Sequence, residues 1–341
     1  MNKTKLTLKD VAEQLGVSTA TISNAFNRPD QLSKAKREEI LAQCKKIGYS
    51  GPNKAAQILR KGTSNIVALV LADSISYMVS DPVASTFIKG VSSALQENGK
   101  HLLLYAGDSD SILDVVDFVD GFICYGQPRN SNLVAELAVS PKPVVTVDFD
   151  IEDKPSINID NEEAAYRVAS HALNEGDNVA IFGLRLIDSP STCRIYDSPL
   201  IDVDSSIAHR RLDGYLRAAE EKNITVSNER IWHLPESDRH FARQAAKEVL
   251  TSSPRPNVVL CMSDIIALEL LHLALDMNIK VPEELKITGF DGIGEAERAR
   301  PRLTTVCQSS SGKGVEATNA LLNQVTAKST LPFELQVGET V

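Results

Sequence analysis

Four aspartates in this 341-residue sequence each follow a short apolar run: Asp73 after "IVALVLA", Asp148 after "PVVTV", Asp264 after "VVLCMS" and Asp291 after "KITGF". An ionised carboxylate only accepts hydrogen bonds. Several of them converging on a cleft with an arginine and aromatic rings form the set that a hydroxyl-rich ligand needs. Each aspartate also has a plainer reading, as a helix N-cap or a hydrogen bond that closes two lobes, because Asp is a preferred cap residue. A second stretch suited to chemistry lies near the start, "LTLKDVAEQLGVSTATISNAFN", Leu6 to Asn27. Its second half presents Thr19, Ala20, Thr21, Ser23 and Asn24 where a core helix would carry larger apolar residues. Small side chains let a helix approach the DNA major groove closely, and Asn can pair bidentately with adenine. Ser and Thr near a helix start suit phosphate contact.

The elements that must position these residues follow from periodicity. Leu8, Val11, Ala12 and Leu15 recur at helical spacing and Gly16 ends that helix. Ser18 then caps a second helix from Thr19 to about Phe26, with Ile22, Ala25 and Phe26 inward. Ser33 caps a third, whose buried stripe is Ile40, Leu41, Cys44 and Ile47. Helix, glycine turn and helix make a helix-turn-helix; an ordinary capped helical hairpin is the alternative. Charge favours the first. Residues 1–62 hold 12 Lys and Arg against 5 Asp and Glu, a net of +7, whereas the rest holds 24 against 40, a net of -16, within a total of -9. A cationic arm on an anionic body is the asymmetry of a polyanion-binding protein.

From Asn65 onward, short, almost continuously apolar β runs alternate with helical stretches. That alternation predicts parallel sheets in doubly wound α/β units, and roughly ten strands are more than one such sheet usually holds, so two similar lobes are expected. Ligands in such folds bind beyond the carboxyl ends of the strands, where the aspartates stand. The stretch "RLIDSPSTCRIYDSPLIDVDSS" is read either as a lid or as a solvated surface loop, the loop being preferred because long loops tolerate insertion.

The stretches "TLKDVAEQLGVSTATISNAFN", "LSKAKREEILAQCKKIGY" and "PNKAAQILRKGTSNIVALV" resemble the DNA-binding head and hinge of the lactose and galactose repressor family. The resemblance continues through "SINIDNEEAAYRVASHALNEGDNVAIFG", "HRRLDGYLRAA", "LCMSDIIALELLHLAL" and "ITGFDGIGEAERARPRLTTVCQSSSGKGVEAT", covering nearly the whole chain in order. It implies a head at residues 1–50, a hinge helix and linker at 51–63, and an effector-binding, dimerising core at 64–341 resembling periplasmic binding proteins. Lobe one is expected at about 64–160 plus 293–323, and lobe two at about 161–292 plus 324–341. The resemblance assigns base reading to Thr19, Ala20 and Asn24; many members carry a guanine-reading Arg at the position of Asn24, and Asn in its place favours adenine. It assigns backbone contact to Ser18, Thr21, Ser23, Asn27 and Ser33. In the minor-groove hinge helix Leu59 matches the inserted leucine wedge and Ala56 the small residue where paired hinges cross; the plain alternative for Leu59 is a linker residue resting on the core. Arg211 and Asp291 match effector contacts, Asp148 a cleft aspartate, and Tyr77 lies where members place an aromatic against the effector.

These readings together imply a homodimer on palindromic operator DNA, governed by a small effector: a sugar first, then a cyclic polyol such as inositol or a nucleoside. A solute-binding protein for sugar uptake and a sugar-modifying enzyme are the alternatives. "MNKTKLTLKD" has no apolar core of signal-peptide length and no run of about 18 apolar residues occurs, so a cytoplasmic protein off the membrane is expected. The five cysteines form no CxxC pair and read as reduced, and the six histidines show no paired metal spacing. "SSSGKG" lacks the first glycine of a phosphate-binding loop, and no GxSxG elbow occurs. Neither catalysis, nor a metal, nor a cofactor is expected.

Overall fold

The computed structural model describes residues 6–51, 62–200 and 206–341. The expected hinge helix, with Ala56 and Leu59, lies outside the described residues. Two compact units are present, Met1–Ser64 and Asn65–Val341.

In the first unit, helices Leu8–Leu15, Thr19–Asn27 and Lys34–Lys46 enclose Val11, Ala12, Ile22, Ala25, Ile40, Cys44 and Tyr49. Local chemistry sets the three helix starts and the end of the first helix. Thr7 and Asp10 form a reciprocal capping box at the first helix, and Gly16 ends it in the left-handed region at φ 65°. Ser18 accepts from Thr21 N at 3.0 Å and Ser33 from Lys36 N at 3.3 Å, so both hydroxyls satisfy N–H groups that a helix start leaves unpaired. Arg37 Nε donates to the Ala25 carbonyl at 3.0 Å, tying the third helix to the end of the second.

The second unit contains two sheets. Strands β1 (Ile66–Leu71), β2 (His101–Tyr105), β3 (Gly121–Tyr125), β4 (Val144–Val147) and β5 (Ser156–Ile159) join β12 (Ser329–Leu331) in the order β12-β5-β4-β3-β1-β2. Strands β6 (Val179–Leu184), β7 (Cys193–Arg194), β8 (Ile231–Leu234), β9 (Val258–Cys261), β10 (Lys286–Asp291), β11 (Thr304–Gln308) and β13 (Phe333–Gln336) form the second, in the order β13-β11-β10-β9-β6-β8-β7. The first sheet is parallel throughout, and the second is parallel except for its edge strands β7 and β13, which pair antiparallel.

The chain crosses between the sheets three times. Asp160 separates β5 from helix Asn161–Ala172 of the second lobe; Ser309 separates β11 from helix Ser310–Leu322 of the first; Pro332 separates β12 from β13. These crossings correct the expected lobe boundaries: β11 pairs with β10 in the second sheet, and β12 with β5 in the first. Hydrogen-bonded register decides membership where hydropathy could not.

Residues 185–200, the described part of the expected surface loop, are exposed at Asp188 and from Tyr196 onward but anchored between. Leu186, Ile187 and Ile195 are buried and β7 adds an edge to the second sheet. His233 holds the stretch from beneath: Nδ1 accepts from Leu186 N at 3.1 Å and Ile187 N at 3.4 Å, leaving Nε2 to donate to the Ser189 carbonyl at 3.0 Å. Burial keeps its pKa below the ordinary value.

Each lobe packs one helix pair through glycine. A Cβ at Gly214, on helix Ile207–Glu221, would stand 2.2 Å from the Glu162 carbonyl oxygen, and one at Gly90, on helix Pro82–Glu97, 2.2 Å from that of Ser311. Backbone is the obstacle at both, so an added methyl must move a helix. We expect Gly214→Ala to destabilise the core by about 1–3 kcal/mol, read as a lowered urea midpoint with unchanged m-value.

Candidate functional site

The carboxyl ends of the strands of both sheets open onto one cleft of about 370 Å³. Asp73, Tyr77, Asp148, Arg211 and Asp291 all line it, as their positions after apolar runs, or the resemblance, led us to expect.

Arg211, from helix Ile207–Glu221, is only 5% exposed. Its Nε donates to Asn161 Oδ1 at 2.9 Å and Nη1 to the Met262 carbonyl at 2.7 Å, while the guanidinium lies 3.6 Å above the Phe290 ring centroid. Nη1 stands 3.7 Å from Asp291 Oδ1. Two carbonyl-type acceptors and a ring face thus fix a planar cation against a carboxylate. Asp291 also accepts from Gln308 Nε2 at 2.8 Å. Burial pushes the Asp291 carboxyl up to about 7, against the opposing pull of Arg211.

Asp148 sits at φ 60° after β4 and accepts from Lys313 Nζ at 2.5 Å. Lys313, from helix Ser310–Leu322, is 1% exposed and also donates to Gln308 Oε1 at 2.6 Å. Burial lowers its pKa, with Asp148 opposing.

At the rim, Asp73 has both oxygens engaged, Oδ1 by Ser74 N at 2.6 Å and Oδ2 by Arg129 Nε at 2.5 Å. Arg129 Nη2 reaches across to Glu236 Oε1 at 3.1 Å, and the Tyr77 hydroxyl oxygen accepts from Ser237 N at 3.1 Å. Both contacts join the first lobe to the second. Burial raises the Tyr77 phenol, leaving it a donor toward the cleft. Asp81 lines the cleft too, capping helix Pro82–Glu97 by accepting from Ala84 N at 2.7 Å.

Asp264 does not line the cleft. It is fully buried and accepts from Thr305 Oγ1 at 2.5 Å and Ile293 N at 2.9 Å. Expected as a ligand contact, it instead braces the loop after β10, and burial raises its carboxyl well above the ordinary range. Among the aspartates after apolar runs, this one follows the plainer, structural reading.

The sequence reading missed Arg129, Glu236, Gln308, Lys313 and Asn161. The first three stand in loops or at a strand end, where no periodicity flags them. Asn161 was present in the quoted "SINIDN", and Lys313 in "SSSGKG", tested there only as a phosphate loop.

On the head, Ser18, Thr19, Ala20, Asn27 and Ser33 are exposed and Thr21, Ser23 and Asn24 half-buried, while Ile22 and Ala25 fill the core on the opposite side. The Asn24 side-chain amide has no partner among the described residues, so its donors and acceptor are available. Asn27 Nδ2 donates to Ser23 Oγ at 3.4 Å, and the Ser18 and Thr21 hydroxyls lie 2.8 Å apart. Among the described residues no group of His, Cys, Asp and Glu forms a metal-ligating cluster, and no helix is long and apolar enough to cross a membrane.

A helix-turn-helix head together with a two-lobed core of this topology defines a class of DNA-binding regulators. Residues 7–53 match the description "Bacterial regulatory proteins, lacI family" and residues 198–340 "Periplasmic binding protein-like domain". The HTH-type transcriptional regulator Rv3575c of Mycobacterium tuberculosis is 34% identical over 332 residues, covering 93% of this chain and 90% of its own. A lacI-family regulator structure from Corynebacterium glutamicum is 25% identical with a TM-score of 0.68, covering 99% and 100% of the two chains. A structure titled transcriptional regulator CelR-cellobiose complex shares the fold, at 23% identity and a TM-score of 0.67, covering 98% and 100%. The chain belongs to the lacI family of bacterial transcriptional regulators, whose members are regulators and not enzymes.

The raised Asp291 pKa gives a signed prediction. The folded chain keeps this proton up to about pH 7, whereas the unfolded chain releases it near 3.8, so the contribution to stability is full below 3.8 and is lost as pH rises toward 7. Thermal denaturation from pH 4 to 8 should show Asp291→Asn gaining stability relative to wild type across that window. A difference independent of pH would contradict the assignment.

Proposed function

We propose that this regulator is a homodimer whose affinity for a palindromic operator is set by a small neutral sugar or polyol bound in the cleft between its lobes. What supports the reading is the composition of the cleft together with its bridges. Carboxylates and a guanidinium suit hydroxyl groups, while the Arg129–Glu236 and Tyr77–Ser237 contacts join lobe to lobe at the rim. A ligand that contacts both lobes favours one angle between them, which is the differential binding that allostery requires. The structural relative titled as a cellobiose complex supports a sugar class. In this reading Asp73, Tyr77, Asp148, Arg211 and Asp291 contact the effector.

On the head, Thr19, Ala20 and Asn24 read bases, and Ser18, Thr21, Ser23, Asn27 and Ser33 set register on phosphates. The capping roles of Ser18 and Ser33 are compatible with this, because a hydroxyl that accepts from the backbone still has a proton to donate. Boundaries near residues 50 and 63 separate head, hinge and core. The match of residues 7–53 to a regulatory head and a regulator 34% identical over head and core favour this reading over a solute-uptake protein or an enzyme.

Two measurements test this. A thermal-shift screen of the full-length protein against sugars, polyols and nucleosides should find a compound that stabilises the wild type by about 2.7 kcal/mol at 100 times its Kd. The shift should vanish in Asp291→Ala; a shift that persists places the ligand elsewhere. Asn24→Ala should lose about 1–3 kcal/mol of operator affinity, with nonspecific binding nearly unchanged. Equal losses on both DNAs would contradict base reading.

A further inference from the structure

The cleft floor carries a continuous polar chain from one lobe to the other: Asp148, Lys313, Gln308, Asp291 and Arg211. Lys313 Nζ donates to Asp148 Oδ1 at 2.5 Å and to Gln308 Oε1 at 2.6 Å; Gln308 Nε2 donates to Asp291 Oδ1 at 2.8 Å; Arg211 Nη1 lies 3.7 Å from the same oxygen. Asp148 and Lys313 belong to the first lobe, and Asp291 and Arg211 to the second. Gln308 is the last residue before the chain crosses between them.

Lys313 does not line the cleft, but it decides what lines it. An ammonium only donates, so the Gln308 oxygen must face it, and the Gln308 nitrogen is left to face Asp291 Oδ1, which accepts as the carbonyl oxygen of the acid or as a carboxylate oxygen. With both ends specified, the amide has a single satisfactory orientation. Asp148 Oδ2 and the second Nε2 hydrogen of Gln308 have no protein partner among the described residues, and both residues line the cleft. The floor then alternates acceptor, donor, acceptor and donor along Asp148, Gln308, Asp291 and Arg211. A hydroxyl both donates and accepts, so neighbouring hydroxyls fit such a row, whereas a phosphate, which mainly accepts, meets the acceptor oxygens of Asp148 and Asp291.

We infer that Lys313 is a positioning residue: by holding Asp148 and Gln308 in one arrangement it selects vicinal hydroxyls of a neutral polyol over phosphorylated ligands. This rests on the cleft being the effector site, so the test has an arm that needs no ligand.

Full-length protein labelled with 15N at glutamine should show one exchange-protected Nε2 hydrogen for Gln308, the one donated to Asp291, identified by the loss of its signal in Gln308→Met. Its absence, or a doubled signal, in the wild type overturns the inference. Lys313→Met should accelerate exchange of that hydrogen at least tenfold, and an unchanged rate overturns it. Should the unpaired Asp148 prevent folding, Lys313→Met with Asp148→Asn answers the same question without the stranded charge. In the ligand arm the probes are D-ribose, cellobiose and myo-inositol. Any that binds the wild type should bind Lys313→Met at least tenfold more weakly, and equal affinity overturns selection by Lys313. If none binds the wild type while Gln308 still responds to Lys313→Met, the polyol reading of the cleft fails and the positioning role stands.

Discussion

A charge withdrawn from water must meet an opposite charge or several hydrogen-bond donors, and the core of this protein is arranged around that requirement. The parallel strands bring several aspartates toward one region, where like charges would otherwise repel. Three solutions coexist within it. Asp148 meets a buried ammonium, Asp291 meets a guanidinium and an amide while retaining a raised pKa, and Asp264 is surrounded by a hydroxyl and a backbone N–H. Only the first two face the cleft. Removing one member of such a set costs more than the bond it makes, because its partner remains buried and unpaired.

Much of this was legible in the sequence where the controlling physics is local. The three head helices were placed by caps, a terminal glycine and 3.6-residue spacing, and those same caps appear as hydrogen bonds within three residues of each other. The strand-end aspartates were legible because apolar runs reveal buried parallel strands. What each aspartate faces was not, since Asp264 follows β9 with the same pattern but points under the loop after β10. Lys313 was illegible for a related reason. Its partner Asp148 is 165 residues away, and a lysine in a glycine- and serine-rich helix start carries no local sign of burial. Strands β12 and β13 are three and four residues long, too short for alternation to distinguish them from a tail.

The head and the core illustrate two uses of polar side chains. On the second helix the small polar groups remain toward solvent, half or fully exposed, and their nearest bonds are weak or local. In the cleft the polar groups are buried and mutually constrained. The first arrangement lets a surface meet a partner whose shape is already regular. The second prepares a fixed pattern in advance, so that little must be ordered when a ligand arrives.

The three crossings at Asp160, Ser309 and Pro332 each contain a single residue between an element of one lobe and an element of the other. A peptide of that length reaches only about 7 Å even when fully extended, so the lobes cannot slide apart or translate past each other along three such tethers. Rotation about the crossings is the motion such tethers permit most freely, and it changes cleft width and lobe angle together, so a molecule that spans the cleft acts on both at once.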